Sequence, residues 1–553
     1  MIDPCFNLFS HMVLQYSHRH GRLLRSKSYV LANWTLSATS MPGLVNLPLD
    51  TLFELVALLD VYDSLSLSLV SHKLYGLRSL TSYWHVLVRT LQLSSVPLAC
   101  PPHSELIPNL DLQALVLRTL NRQRILLSSS PRPIRVHKYL QWTRSIDSIC
   151  SVDGTEMYLT CDINDGMAKC WDLSKGKILG EVYVGRNILA KSTLPLATGK
   201  FLVCLLVAES LQEFVANSVV CLEVEYELDP NSTHPSSFSY HNVKLSIRHR
   251  SPLDSTYPAM YPSCAINADG ILAVVKMATT IHIIGINMVN GARCVVDTDL
   301  TELEIDSVDV SFNNQDLFLA ATNPRASWVY RCSKDYLPYN LSPVNQRRQL
   351  ELSKIPPILT STNYSFERCG FYASSARNFA MTAYYATDSQ AQEYTECCFW
   401  DMDLKQTEAE LAHRVRLPGL QFFEVPCSGS ESGTWGVFVC DTDVNTGATS
   451  VGHDFEVDVG VTALSAGAGA TTHATALAKV EILLMHYDPF ARTSTLYRPQ
   501  IPSLFSDVST TRPEQPYSWI DDIKSLEFDE RLGVLYIMLN SLEGGVLCAV
   551  EFV

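Results

Sequence analysis

A reaction centre needs a nucleophile, a general base or a set of metal ligands at workable spacing. The later histidines, His249, His282, His413, His453, His473 and His486, are dispersed and share no ligand spacing. His282 sits within an alternating apolar run, which marks a structural position on a strand. The paired acids Asp521-Asp522 and Asp441-x-Asp443 have no second functional group beside them, so they fit caps and loops better than general acid–base work. Gly467-x-Gly469 lacks both a strand-to-helix context and a basic partner, and reads as loop, not as a phosphate cradle. HExxH, GxxxxGK[ST] and GxSxG are all missing from the chain. The basic spots Arg347-Arg348 and Arg248-His249-Arg250 read as solvated surface, with recognition of an acidic motif as the lesser alternative. The residues therefore predict no catalytic group, no metal and no cofactor.

The elements that would position any site fall into three zones. Residues 41–127 are Leu-rich and helix-patterned; Ser128 to Arg135 have linker composition; from about residue 136 the chain is rich in Val, Ile, Tyr, Phe and Cys between turn residues, a β texture. In the helical zone, Pro48 suits a helix start, and Leu52, Leu55, Val56 and Leu59 follow at i, i+3, i+4 and i+7 on one face. Asp63 is the expected N-cap of a second helix holding Leu65 and Leu69. Ser71 is the expected cap of a third with Leu74 and Leu77 inward, slightly weakened by Gly76. Trp84 and Leu87 belong to a fourth, and residues 111–127 form another.

This zone carries more leucine than a unit of its size can hide. Leu47, Leu49, Leu52, Leu55, Leu58, Leu59, Leu65, Leu67, Leu69 and Val70 lie within two dozen residues. A unit this small buries a limited fraction of its surface, so part of this set must face water or another chain.

The order Leu47-Pro48-x-Asp50-x-Leu52-x-x-Leu55-x-x-x-Leu59-x-x-x-Asp63-x-Leu65-x-x-x-Leu69-Val70-Ser71-x-x-Leu74, followed by Trp84, resembles an F-box. His72, Lys73 and Tyr75 stand where the family often has Arg or Trp. The resemblance covers about 40 residues. It implies docking to a Skp-type adaptor, and through it a cullin–RING complex, by way of Leu47, Pro48, Leu52, Leu55, Leu65, Leu69, Val70, Ser71 and Leu74.

In the β zone one layout recurs: apolar strand, turn with Asp, Asn or Gly, then further strands. Copies run at Ser148–Leu173, Ser263–Asn287, Ser307–Arg331, Cys369–Asp403 and Ile523–Val553, with weaker ones near 188–226 and 420–487. A single small sheet cannot bury both faces; radial stacking solves that, which is the β-propeller arrangement. The endings Trp171-Asp172 and Trp400-Asp401 resemble those of WD repeats, although the Gly-His signature is missing and the spacing varies. Residues 441–476, 229–242 and 499–517 read as loop insertions.

The expected fold class is thus multidomain, α plus all-β: a disordered segment or extension over 1–40, an F-box helical domain over 41–90, linker helices over 91–135, and a divergent β-propeller of about seven blades over 136–553. Charge is uneven along it: +3 over residues 1–40, neutral over 41–130 and −18 beyond, for a formal total of −15. An acidic β domain does not suit a phosphate backbone, and no apolar run is long enough for a membrane helix. Neither nucleic acid nor membrane is an expected partner. Sixteen scattered cysteines without a CxxC pair suit free thiols in a reducing compartment, cytoplasmic or nuclear, which would leave the sequons at Asn33, Asn231, Asn340 and Asn363 incidental. The first 40 residues lack the h-region of a secretory signal, and Met41 is a possible alternative start. The functional expectation is a non-catalytic substrate receptor of an SCF-type ubiquitin ligase. The alternative is an F-box scaffold with no part in ubiquitin transfer.

Overall fold

The structure, a computed structural model, describes residues 44–552 apart from connecting stretches. The longest of these are 230–238, 254–262, 338–345, 362–368, 402–409, 419–434, 442–479 and 498–522. The expectations for residues 1–40, Gly467-x-Gly469, His453, His473, Asp443 and Asp521-Asp522 lie outside the described residues. The chain divides into two compact units. One runs up to Leu98 and includes Asp111–Leu117; the other holds Ala99–Leu110, Arg118–Tyr487 and Ser494–Val553.

The helical unit follows the apolar spacing of its sequence. Pro48 precedes α1 (Leu49–Leu58), its fixed φ matched to a helix start, and Leu52 and Val56 turn inward one turn apart. Asp60 caps α2 (Val61–Ser68), its carboxylate accepting from the Asp63 N–H at 2.7 Å. This corrects the expected cap at Asp63: Asp60 has the extended backbone of an N-cap, while Asp63 lies inside the first turn and donates to it. Ser71 caps α3 (His72–Tyr75), accepting from the Leu74 N–H at 3.2 Å, and Leu74 and Leu77 are buried as expected. Gly76 lies just past α3 at an ordinary helical φ of −58°.

The longer helix α4 (Thr81–Leu93) supplies the aromatic centre of this unit. Tyr83 and Trp84 meet edge to face at 5.2 Å between centroids. The Tyr83 hydroxyl donates to the Ser64 carbonyl at 3.0 Å, and the Ser64 hydroxyl donates to the Val56 carbonyl at 3.2 Å. Burial pushes the Tyr83 phenol up from its ordinary pKa. The Trp84 indole donates to the Arg78 carbonyl at 2.8 Å. The Tyr83, Ser64 and Trp84 polar groups carried inside thus each have a partner, as burial demands. A further helix, α5, spans Leu112–Leu126.

The described strands form seven sheets, six of which have four or five strands. The first holds Ile146–Ser151, Met157–Asp162, Met167–Asp172 and Lys177–Tyr183, and the second Asn187–Ala197, Lys200–Ala208, Ser218–Asp229 and Ser239–Pro252. The third holds Ser263–Ile266, Ile271–Met277, Thr280–Asn287 and Arg293–Thr301, with Gln346–Leu350 added in parallel to Arg293–Thr301. The fourth holds Ser307–Phe312, Asp316–Asn323, Ala326–Ser333 and Leu359–Ser361, and the fifth Cys369–Ala373, Phe379–Thr387, Glu393–Asp401 and Glu410–Pro418. The sixth has three strands, Trp435–Asp441, Val480–Asp488 and Thr493–Tyr497. The seventh joins the chain's last strands, Ile523–Asp529, Val534–Ser541 and Gly544–Glu551, to the first strand of the β unit, Arg135–Trp142.

Apolar clusters lie between the first and second, second and third, third and fourth, sixth and seventh, and seventh and first sheets. Leu159, Cys161 and Cys170 of the first sheet meet Val203, Leu205 and Val220 of the second. Tyr158 of the first meets Tyr536 and Met538 of the seventh. The opening strands of neighbouring sheets touch: Ile523–Asp529 meets Ile146–Ser151, which meets Asn187–Ala197, and so on through Ser263–Ile266, Ser307–Phe312 and Cys369–Ala373. The β unit is therefore a β-propeller whose ring is closed by pairing its first strand with its last. The expected count of about seven blades is corrected to six complete ones. The sixth sheet has three described strands, and the residues after it, 498–522, lie outside those described.

Candidate functional site

The nine residues singled out in the helical unit separate into three sets. Leu47, Leu52 and Leu74 are buried, Leu55, Leu65 and Ser71 are half-buried, and Pro48, Leu69 and Val70 are exposed. The first set holds the helices together. Leu52 and Leu74, with 3% and no exposed surface, have nothing left to offer a second protein.

The exposed set is positioned by the way α2 ends. The Leu69 N–H bonds to the Ser66 carbonyl and the Val70 N–H to the Leu67 carbonyl, at 3.0 and 3.1 Å, so a tight turn satisfies the backbone. The cap at Ser71 then starts α3 at once. Between these fixed points the side chains of Leu69 and Val70 face water, 64% and 42% exposed. Leu49, Tyr62 and Tyr75 in the same unit are also about half exposed. The Arg78 guanidinium lies over the Tyr75 ring at 5.6 Å. Large apolar groups exposed in this number on so small a unit are the composition of a contact surface.

The sequence places Leu49 only in the leucine surplus and does not mark Tyr62 and Tyr75 as surface groups. A signal for Tyr62 was present. Val61, Ser64, Leu67 and Ser68 are the buried residues of α2. Tyr62, Ser66 and Leu69 at i, i+4 and i+7 fall on the opposite face. Small serines on the inner face are easily mistaken for the outer one.

The other residues considered for chemistry are engaged in structure. His282 Nδ1 lies 2.7 Å from Asp297 Oδ1 and its Nε2 lies 3.1 Å from Thr280 Oγ1, across two strands of the third sheet. Arg347 also binds Asp297, and Arg348 donates to the Asp335 carbonyl, so neither belongs to a free basic patch. His413 Nε2 lies 3.0 Å from Ser494 Oγ, and burial pushes its pKa down. The Trp171 indole donates to Thr160 Oγ1 at 2.9 Å, while the buried Asp172 carboxylate accepts from Ser174 Oγ and Lys175 Nζ. That Trp-Asp ending is a joint within its sheet. Ten cysteines among the described residues are free and buried. Among the described residues no group of three His, Cys, Asp or Glu could hold a metal ion, and no helix is long and apolar enough to cross a membrane.

No family model and no curated protein matches the chain. Solved structures similar in part include the WD40 domain of SCAP from fission yeast, at 9% identity and a TM-score of 0.34, covering 76% of this chain and 98% of that one. The Kuenenia stuttgartiensis hydrazine synthase is similar at 10% identity and a TM-score of 0.37, covering 76% and 96%. The propeller assignment rests on the sheet order and ring closure described above.

Proposed function

We propose that this chain is a non-catalytic substrate receptor of an SCF-type ubiquitin ligase, binding a Skp-type adaptor through its helical unit and a protein substrate through its propeller. The observation that carries the reading is the adjacent, water-facing pair Leu69 and Val70 at the α2–α3 turn. It falls in the segment whose residue order resembles an F-box. Fully covering a side chain of this size is worth about 1.5–3 kcal/mol before the costs of association. The chain would contribute proximity, raising the local concentration of a bound substrate near a ubiquitin donor supplied by its partners. Its place would be the cytoplasm or nucleus. A propeller fold does not assign the substrate.

The test is co-purification of full-length chain with a purified Skp-type adaptor. Leu69→Asp with Val70→Asp is expected to abolish capture while the melting temperature stays within a few degrees of the parent. Capture unchanged by the double substitution overturns the reading. The alternative, an F-box scaffold without ubiquitin transfer, predicts the same capture. It parts from the receptor reading in cells: deleting residues 41–90 lengthens the lifetime of a bound protein only for a receptor.

A further inference from the structure

The second sheet carries two thiols in direct opposition. Cys204 on Lys200–Ala208 and Cys221 on Ser218–Asp229 are register partners in an antiparallel pair, flanked by Val203 with Leu222 and by Leu205 with Val220. Opposite residues of such a pair project to the same face, with Cα atoms about 4.5–5.5 Å apart. That lies within the span of about 4.4–6.8 Å that a disulfide bridges. Here the side chains already meet: the Cys204 thiol donates to Cys221 Sγ at 3.6 Å. A sulfur–sulfur bond is about 2.05 Å long, so the remaining gap can close chiefly by rotation of the two side chains.

Their surroundings hold them as thiols while the sheet is closed. Neither has exposed surface, and both lie with Leu206, Val219, Leu272 and Val274 in the apolar cluster between the second and third sheets. The hydrogen bond to Cys221, together with burial, pushes the Cys204 thiol well above its ordinary pKa. The thiolate is the reactive form, so the closed sheet reacts slowly. Local opening of the sheet admits water, and with it any oxidant of similar size. Whichever sulfur is oxidised first then has the second one beside it.

We propose that Cys204 and Cys221 form a redox switch: a peroxide converts the pair to a cross-strand disulfide that staples the second sheet, and a dithiol reductant restores the thiols. One thiolate attacks a peroxide oxygen, the O–O bond breaks, and a sulfenic acid and hydroxide result. The second sulfur attacks the sulfenic sulfur, and the hydroxyl leaves as water. In sum, two thiols and one hydrogen peroxide give one disulfide and two waters, with both thiol protons carried off in the water. The joined residues are 17 apart in sequence. Covalent closure of a loop of about that length restrains the opened chain by roughly a hundredfold.

The experiment treats the reduced full chain with hydrogen peroxide, blocks the remaining thiols by alkylation and maps the digest by mass spectrometry. A peptide pair joined at Cys204 and Cys221 is expected, lighter than the two thiol peptides by two hydrogens and separated by dithiothreitol. It should form faster in urea below the unfolding midpoint, because access needs local opening. Amide exchange over Lys200–Ala208 and Ser218–Asp229 should slow about a hundredfold in the oxidised chain and recover on reduction. Cys221→Ala should remove the joined peptide. Cys264→Ala, in the same apolar cluster, should leave it in place. Absence of the joined peptide at every urea concentration below the midpoint overturns the proposal. So does pairing through Cys264, or a joined pair whose amide exchange is unchanged.

Discussion

Leu69 and Val70 differ from Leu52 and Leu74 in a way that decides how the docking surface should be probed. Replacing Leu52 with an acid would strike a side chain that is 3% exposed, and any loss of binding would report unfolding. Leu52→Ala is expected to cost about 2–5 kcal/mol of stability, read as a lowered denaturation midpoint. Leu69→Asp with Val70→Asp should cost about 1 kcal/mol or less, because water already covers both side chains. A double variant that unfolds like Leu52→Ala would show that these residues are packed in solution. Much of this division was legible. The spacing of Leu52, Val56, Leu74 and Leu77 marked the inner face, and the surplus of leucine marked an outer one. The individual exposed residues were not legible, because Ser64 and Ser68 face inward and only tertiary packing says so.

Elements show where sequence patterns stop informing. Every recurrence read along the chain falls on its own sheet, because strand alternation and turn residues are local signals. The strand Gln346–Leu350 is different: it leaves the fourth sheet's stretch of chain and pairs in parallel with Arg293–Thr301 of the third. The register Cys294 to Gln346 joins residues far apart in sequence, which no local pattern encodes. Two carboxylates of the older strand hold the newcomer. Asp297 binds Arg347, and Asp299 accepts from the Leu352 and Ser353 N–H groups at 2.7 and 3.0 Å. Those bonds, with the Ser353 side chain, keep the Asp299 carboxyl below its ordinary pKa although desolvation, the larger single influence, acts the other way. Asp299→Ala is expected to raise amide exchange across residues 346–354 by about tenfold or more, a loss of 1–2 kcal/mol of local protection. Exchange elsewhere in the propeller should stay as it was. Uniform acceleration would mean that this strand is part of the global core and not a separately held strap.

At the scale of the propeller, closure is the dominant fact. A ring has no free sheet faces only if its ends meet, and here Arg135–Trp142 pairs with Gly544–Glu551 across nearly the whole β unit. The neighbouring joint, between the seventh sheet and the first, is sewn by two acids. Glu527 accepts from the Ser151 N–H and hydroxyl, and Asp529 accepts from the Gly154 N–H at 2.8 Å as well as from the Arg531 and Leu532 N–H groups. Gly154 is required at this point: its φ is +71°, and a Cβ there would lie 2.8 Å from the backbone of Pro101. Arg122 of α5 is buried beside this acid, and burial pushes its guanidinium down to about 10 while Asp529 and Glu530 hold it up. Asp529 itself is fully enclosed, and burial raises its carboxyl from 3.8 to about 6, against the pull of its hydrogen bonds and of Arg531 and Arg122. The folded chain then binds this proton more tightly than the unfolded chain does. Its contribution to stability is complete below about pH 3.8 and is lost as pH rises through about 6, a change on the order of 3 kcal/mol. Many other groups titrate in that window, so the informative quantity is the difference between parent and Asp529→Asn. Measured by urea denaturation from about pH 4 to 8, that difference should move against the parent as pH rises and level off above about pH 7. A difference that stays flat across the window would mean that the three N–H donors hold Asp529 ionised throughout, and that the joint is sewn by a carboxylate at every pH at which the ring survives.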